Sequence, residues 1–279
     1  MKRKMIWLLS ATILTLAIGL IWLPPSHSRA QAQEAEVFAR RAPRCTAGTV
    51  SGAYGYRLTG SLAGVGATSV TGVFTQNYDG SFNGRHIIIS LNGQPVPNVP
   101  YSGAFTINSA CSATGSFTDA TGLRVTFKYV AADGGDELYF INTDAGNVLS
   151  GVARRITSGS HAPRCTVGTI NGQYGYHLSG ALQGVGPVAL AGLINHGLDS
   201  ALSGVFTGAD TFSANGQIIP VRTIDGTFKM NGDCTGTGNY NDSLGQTINY
   251  AFIATGGGRE MFLQGTDPGV NVSGFAKRL

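Results

Sequence analysis

Charge is scarce in this sequence. Asp, Glu, Lys and Arg make up 12% of the 279 residues, about half the usual share, which excludes coiled coils and charge-rich disordered chains. Cysteine occurs four times and never as C-x-x-C, so neither a dithiol redox motif nor a zinc ribbon is encoded. The G-x-S-x-G elbow, the P-loop, G-x-G-x-x-G and H-E-x-x-H are all missing, and with them the commonest hydrolase, nucleotide and metalloprotease signatures. No Lys/Arg stripe with interleaved aromatics exists, which argues against a nucleic-acid partner. The 41 glycines keep no three-residue period and only ten prolines accompany them, which excludes collagen.

The net charge of +4 comes from one end of the chain. Lys2, Arg3, Lys4 and Arg29 lie in the first 32 residues, which hold no acids, leaving fifteen basic against fifteen acidic residues in the remainder. A basic start, an uncharged apolar run from Met5 to Leu23, the breaker Pro24-Pro25 and the A-x-A site at Ala30–Ala32 mark residues 1–32 as a signal peptide. An uncleaved signal anchor is the alternative, because nineteen apolar residues just span a bilayer. Either way the rest of the chain is expected outside the cytoplasm, periplasmic or extracellular, and touches a membrane only through that helix if it is retained.

Past the lead segment 33–44 the chain repeats itself. APRCTAGTVSGAYGYRLTGSLAGVG (42–66) and APRCTVGTINGQYGYHLSGALQGVG (162–186) agree at seventeen of twenty-five positions, and the ends of the copies align at an offset of 123. The expected organisation is one repeat over 45–156, a linker over 157–161 and a second repeat over 162–279. Each copy holds two cysteines at equivalent points, so Cys45–Cys111 and Cys165–Cys234 are the expected disulfides, as suits an exported chain.

Alternation with a period of two dominates each copy. In the first strand Tyr54, Tyr56, Leu58, Gly60 and Leu62 share a face that reappears as Tyr174, Tyr176, Leu178, Gly180 and Leu182, while Arg57 on the other face becomes His177. The face that keeps its residues is read as the inner one. Seven further strands follow at roughly 67–77, 82–92, 99–108, 112–119, 124–132, 137–143 and 148–156, separated by turn pairs such as Asp79-Gly80 and Asn92-Gly93. The fold class is therefore all-β, with two tandem antiparallel up-and-down β-barrels of about eight strands. A β-sandwich or one sixteen-stranded outer-membrane barrel remain as alternatives.

GAYGYRLTG, CSATGSFTD and GGDELYFINTDAGNVLSGVARR, with their second-copy partners GQYGYHLSG, DCTGTGNYND and GGREMFLQGTDPGVNVSGFAKR, resemble a motif set of uncharacterised exported bacterial proteins. The expected fold is similar to barrels of the allene-oxide-cyclase and lipocalin type, a likeness of fold that transfers no catalytic residue.

No catalytic residue, metal ligand or cofactor site is assigned. Of the histidines after the N-terminal segment, His177 and His196 fall on neighbouring strands of the second copy and are read as surface residues. Among ionisable residues kept by both copies, Asp79/Asp199, Asp119/Asp242 and Asp144/Asp267 sit in turns and are read as structural. The candidate ligand-binding set is Tyr54, Tyr56, Glu137 and Arg155, with Tyr174, Tyr176, Glu260 and Arg278. It supposes a Glu–Arg pair across the last two strands and inward tyrosine hydroxyls that need a partner. The function expected is a non-enzymatic binding or structural module, with a small apolar ligand in each barrel as the possible partner. An isomerase or cyclase acting on a lipid-like substrate is the alternative.

Overall fold

The computed structural model describes residues 44–157, 164–199 and 203–279. The expected signal segment, most of the lead segment and residues 158–161 of the linker lie outside them. β1 (Gly52–Leu62), β2 (Gly66–Gln76), β3 (Ser81–Leu91), β4 (Gln94–Ile107), β5 (Ser112–Asp119), β6 (Arg124–Ala132), β7 (Glu137–Asn142) and β8 (Val148–Arg155) pair in sequence order. The ring closes where β1 meets β8, with Tyr54 opposite Arg155. β9 (Gly172–Leu182), β10 (Gly186–Leu198), β11 (Gly204–Ala214), β12 (Gln217–Met230), β13 (Thr235–Asp242), β14 (Thr247–Thr255), β15 (Glu260–Gly265) and β16 (Val270–Arg278) form a second closed barrel. The chain is thus two eight-stranded up-and-down barrels, and closure leaves neither sheet with a free edge.

β4 begins five residues before the strand expected at 99–108. Residues 94–100 pair with β3 alone, since pairing to β5 starts only at Tyr101. Pro95, Pro97 and Pro100 are accommodated there because one side of the strand needs no ladder hydrogen bonds.

Each barrel has a floor. A short 3-10 turn, Ala47–Val50 in the first barrel and Val167–Ile170 in the second, crosses one end and buries Val50 and Ile170 completely. The disulfides Cys45–Cys111 and Cys165–Cys234, with Cα separations of 5.0 and 4.9 Å, fasten that segment to the β4–β5 and β12–β13 turns. Gly135 and Gly258, both at positive φ, approach the floor so closely that a Cβ would lie 2.2 Å from the carbonyl oxygen of Thr49 or Thr169. Only glycine fits there. Their own carbonyls accept the hydroxyls of Tyr54 and Tyr174.

The barrels stand side by side with the same polarity. At the open ends the Gly269 N–H donates to the Gly93 carbonyl over 2.7 Å, and at the floors Gly256 and Gly257 donate to Arg155 and Ile156. Between these points Ile87 and Ile88 pack on Ala251 and Ile253. The Thr71 hydroxyl donates to the Gln264 side-chain oxygen at 2.6 Å, and Arg57 reaches Ser273 at 2.9 Å. Outer-face residues of β2 and β14 are consequently as buried as inner ones, with Ser69, Thr71, Ala251 and Ile253 all at 2% exposure or less.

Candidate functional site

Above each floor lies a cavity that opens between the hairpins at the other end. The first barrel encloses about 350 Å³ and the second about 650 Å³, both within the range of small-molecule sites. Equivalent positions explain the difference. Phe74, Tyr101 and Phe140, which line the first cavity, are replaced by Ile194, Ile224 and Leu263 in the second. Three rings give way to three smaller aliphatic side chains.

The polar groups in the two walls differ as well. In the first barrel Tyr56 hydrogen-bonds the Nδ1 of His86, whose ring lies 4.6 Å from that of Tyr101. Burial lowers the pKa of His86 to about 4, against the opposing charge of Asp119, so the imidazole is neutral at pH 7. In the second barrel register puts Asp210 where His86 stands and Arg222 where Val99 stands. Arg222 grips Asp210 through two bonds of 3.0 and 2.7 Å and reaches Asp242 at 3.1 Å. The Tyr176 hydroxyl donates to Asp210 at 2.6 Å. Burial pulls the Arg222 pKa down, but the hydrogen bonds and charges of its acidic partners outweigh it and hold the guanidinium above its usual value. Burial pushes Tyr240 up to about 12, partly offset by Arg222. Arg222 and both carboxylates are almost wholly buried, so every charge in this cluster is committed to a neighbour within the wall.

A second substitution lies deeper. Gln76 in the first barrel donates to the Tyr129 hydroxyl at 3.2 Å. The same two positions in the second barrel hold His196 and Phe252. His196 is 3% exposed, with Tyr174, Phe206 and Phe228 around it at 5.2–5.5 Å, and its Nδ1 has no hydrogen-bond partner among the described residues. Burial, reinforced by the charge of Arg278, lowers its pKa to about 4.

Of the expected site residues, Tyr56 and Tyr176 line the cavities. Tyr54 and Tyr174 lie beneath them at the floors, fully buried, beside Arg155 and Arg278. The supposed Glu137–Arg155 pair does not form. Glu137 faces Arg154 in the register, and Arg154 holds Glu137 and Glu260 at 2.6 Å each, tying one barrel to the other. Arg155 instead bonds the Thr49 and Gly135 carbonyls at 3.1 Å and Asp136 at 2.7 Å. Arg278 bonds the Thr169 carbonyl and the Tyr174 hydroxyl at 2.8 Å. Burial raises the pKa of Glu260 against the charges of Arg154 and Lys277. These four charged residues hold the floors and the inter-barrel contact and line neither cavity.

His177 lies at the surface as expected, whereas His196 points into the second barrel. The turn aspartates bond backbone N–H groups as expected: Asp119 takes Thr121 and Leu123, and Asp242 takes Leu244 and Gln246. Sequence reasoning missed Asp210 and Arg222. The signal was parity, since Asp210 is in phase with Phe206 and Phe212, and Arg222 with Ile224 and Phe228, on inward faces. Among the described residues no group of three or more His, Cys, Asp or Glu side chains is arranged to hold a metal ion.

No family model and no curated protein matches the chain. Among solved structures, a protein of unknown function from the DUF3598 family of Nostoc punctiforme is similar, at 11% identity and a TM-score of 0.25, over 83% of this chain and 97% of that one.

Proposed function

We propose that this is an exported, non-enzymatic binding protein that takes a small, mostly apolar molecule into each barrel. The observation that carries the reading is the pair of cavities, closed below by a fastened floor, open above and lined chiefly by aliphatic and aromatic side chains. A barrel serving only as scaffold has no need of such a space, because eight strands leave an interior that side chains alone can fill. The two disulfides suit an oxidising compartment.

The test is titration of the oxidised protein with the neutral fluorophore N-phenyl-1-naphthylamine. Saturable binding at two sites is expected. The double variant I194F/L263F, which restores the rings found at Phe74 and Phe140, should narrow the larger site and bring its affinity towards that of the smaller one, which stays unchanged. Absence of saturable binding to the folded protein would overturn the reading.

A further inference from the structure

The two cavities are copies of one design that diverged at a matched pair of positions. In the first barrel the deep polar group, Gln76, is satisfied inside the protein by Tyr129. In the second, Phe252 has no hydroxyl to offer, and His196 is left with a buried Nδ1 lacking any protein partner. A buried polar group without a hydrogen bond costs about 1–3 kcal/mol. The cost falls in the barrel whose cavity is wider, and the imidazole forms part of that cavity's wall.

Building on the binding function proposed above, we infer that the second barrel takes an amphiphile: an apolar chain carrying one uncharged hydroxyl or carbonyl group, which hydrogen-bonds His196. A carboxylate is disfavoured because the cation of the cavity wall, Arg222, is already committed. Arg222 is neutralised by Asp210 and Asp242, and the buried imidazole is itself neutral at pH 7. A carboxylate seated there would be desolvated without a counter-charge, which is strongly unfavourable. The hydroxyl suits either tautomer of the ring, since it both donates and accepts. The first barrel, with Gln76 already bonded, takes an apolar molecule without this preference.

Displacement of N-phenyl-1-naphthylamine by 1-dodecanol, dodecane and dodecanoate at pH 7 tests the assignment. The double variant H196Q/F252Y recreates the Gln76–Tyr129 pair in the second barrel. In it the alcohol-to-alkane affinity ratio of that site should fall about three- to tenfold, the factor of one net hydrogen bond. An unchanged ratio overturns the inference, because a purely packing role for His196 would weaken both molecules alike. Tighter binding of dodecanoate than of dodecanol overturns it too. Should the variant fail to fold, the imidazole ¹⁵N resonances of His196 in the unaltered protein decide. They should shift with dodecanol and stay in place with dodecane, and a dodecanol-bound protein with unshifted resonances refutes the assignment. Failure of all three molecules to displace the fluorophore would count against cavity binding itself, whereas equal displacement by alcohol and alkane would count only against the role of His196.

Discussion

Acidification should destabilise the protein through two histidines before its carboxylates are protonated. His86 and His196 each have a pKa of about 4 in the folded chain, against about 6.5 when unfolded. A depressed histidine pKa means that the unfolded chain binds the proton more readily. Stability is therefore complete above pH 6.5 and is lost as the pH falls towards 4. At pH 5 the linkage relation gives a loss of about 2 kcal/mol for each imidazole, or about 4 kcal/mol for both, a large part of the 5–15 kcal/mol typical of a folded domain. Tyr56, Tyr101 and Asp119 surround His86, while Tyr174 and Arg278 adjoin His196. Only Asp119 favours the charged form. Glu260, with its raised pKa, works in the opposite direction and gains stability as the pH falls, so a difference between proteins is the cleaner measure. Urea unfolding at pH 7 and pH 5 should show that H196Q/F252Y loses about 2 kcal/mol less over that interval than the unaltered protein. An equal loss in both proteins would refute the claim that His196 is buried in its neutral form.

Three further outcomes follow from the charged wall, the floor and the shared interface. Arg222→Met leaves Asp210 and Asp242 buried without their cation and should cost about 3–5 kcal/mol in urea unfolding at pH 7; a cost below about 1 kcal/mol would show that the carboxylates reach water. Replacing Cys165 and Cys234 by Ala opens a loop closed over 69 residues and should lower stability by about 4 kcal/mol on the chain-entropy model, with an unaffected urea midpoint as the contrary result. Ile253→Asp places a charge in the inter-barrel contact and should speed hydrogen exchange on the outer faces of β2, β3 and β14 while both cavities still bind fluorophore. Unchanged exchange there would mean that the barrels do not depend on this contact.

Much of the architecture could be read from the sequence because the duplication presents every inner-face choice twice. Tyr54, Tyr56 and Leu58 keep their identities in the second copy while Arg57 does not, and that contrast alone separates inside from outside. The inter-barrel contact left no such mark. Thr71, Ser90, Gln264 and Ser273 are polar and outward, as solvent-facing residues are, yet hydrogen bonds across the interface let them be buried. The charged candidates were misplaced for a simpler reason. On β8 the inward parity of Leu149 and Ala153 continues to Arg155, so Arg154 is the residue that faces outward to Glu137 and Glu260. Alternation, followed one residue further, separates the two arginines. The cavity chemistry could not be read from either copy alone. Exchanges such as Gln76 to His196 and Tyr129 to Phe252 acquire meaning only when register shows that they touch.

The bond between Gly269 and Gly93 fixes where traffic must pass. With a 3-10 turn across each floor and the two rims joined, the openings seen among the described residues lie at the same end of the protein, next to each other. The hairpins at that rim border the way in for both chambers. A molecule that slips out of one chamber begins its search beside the entrance of the other, at a local concentration set by that short separation rather than by the bulk. Joining the rims therefore makes the two chambers kinetic neighbours, which separate copies of the same barrel in dilute solution would not be.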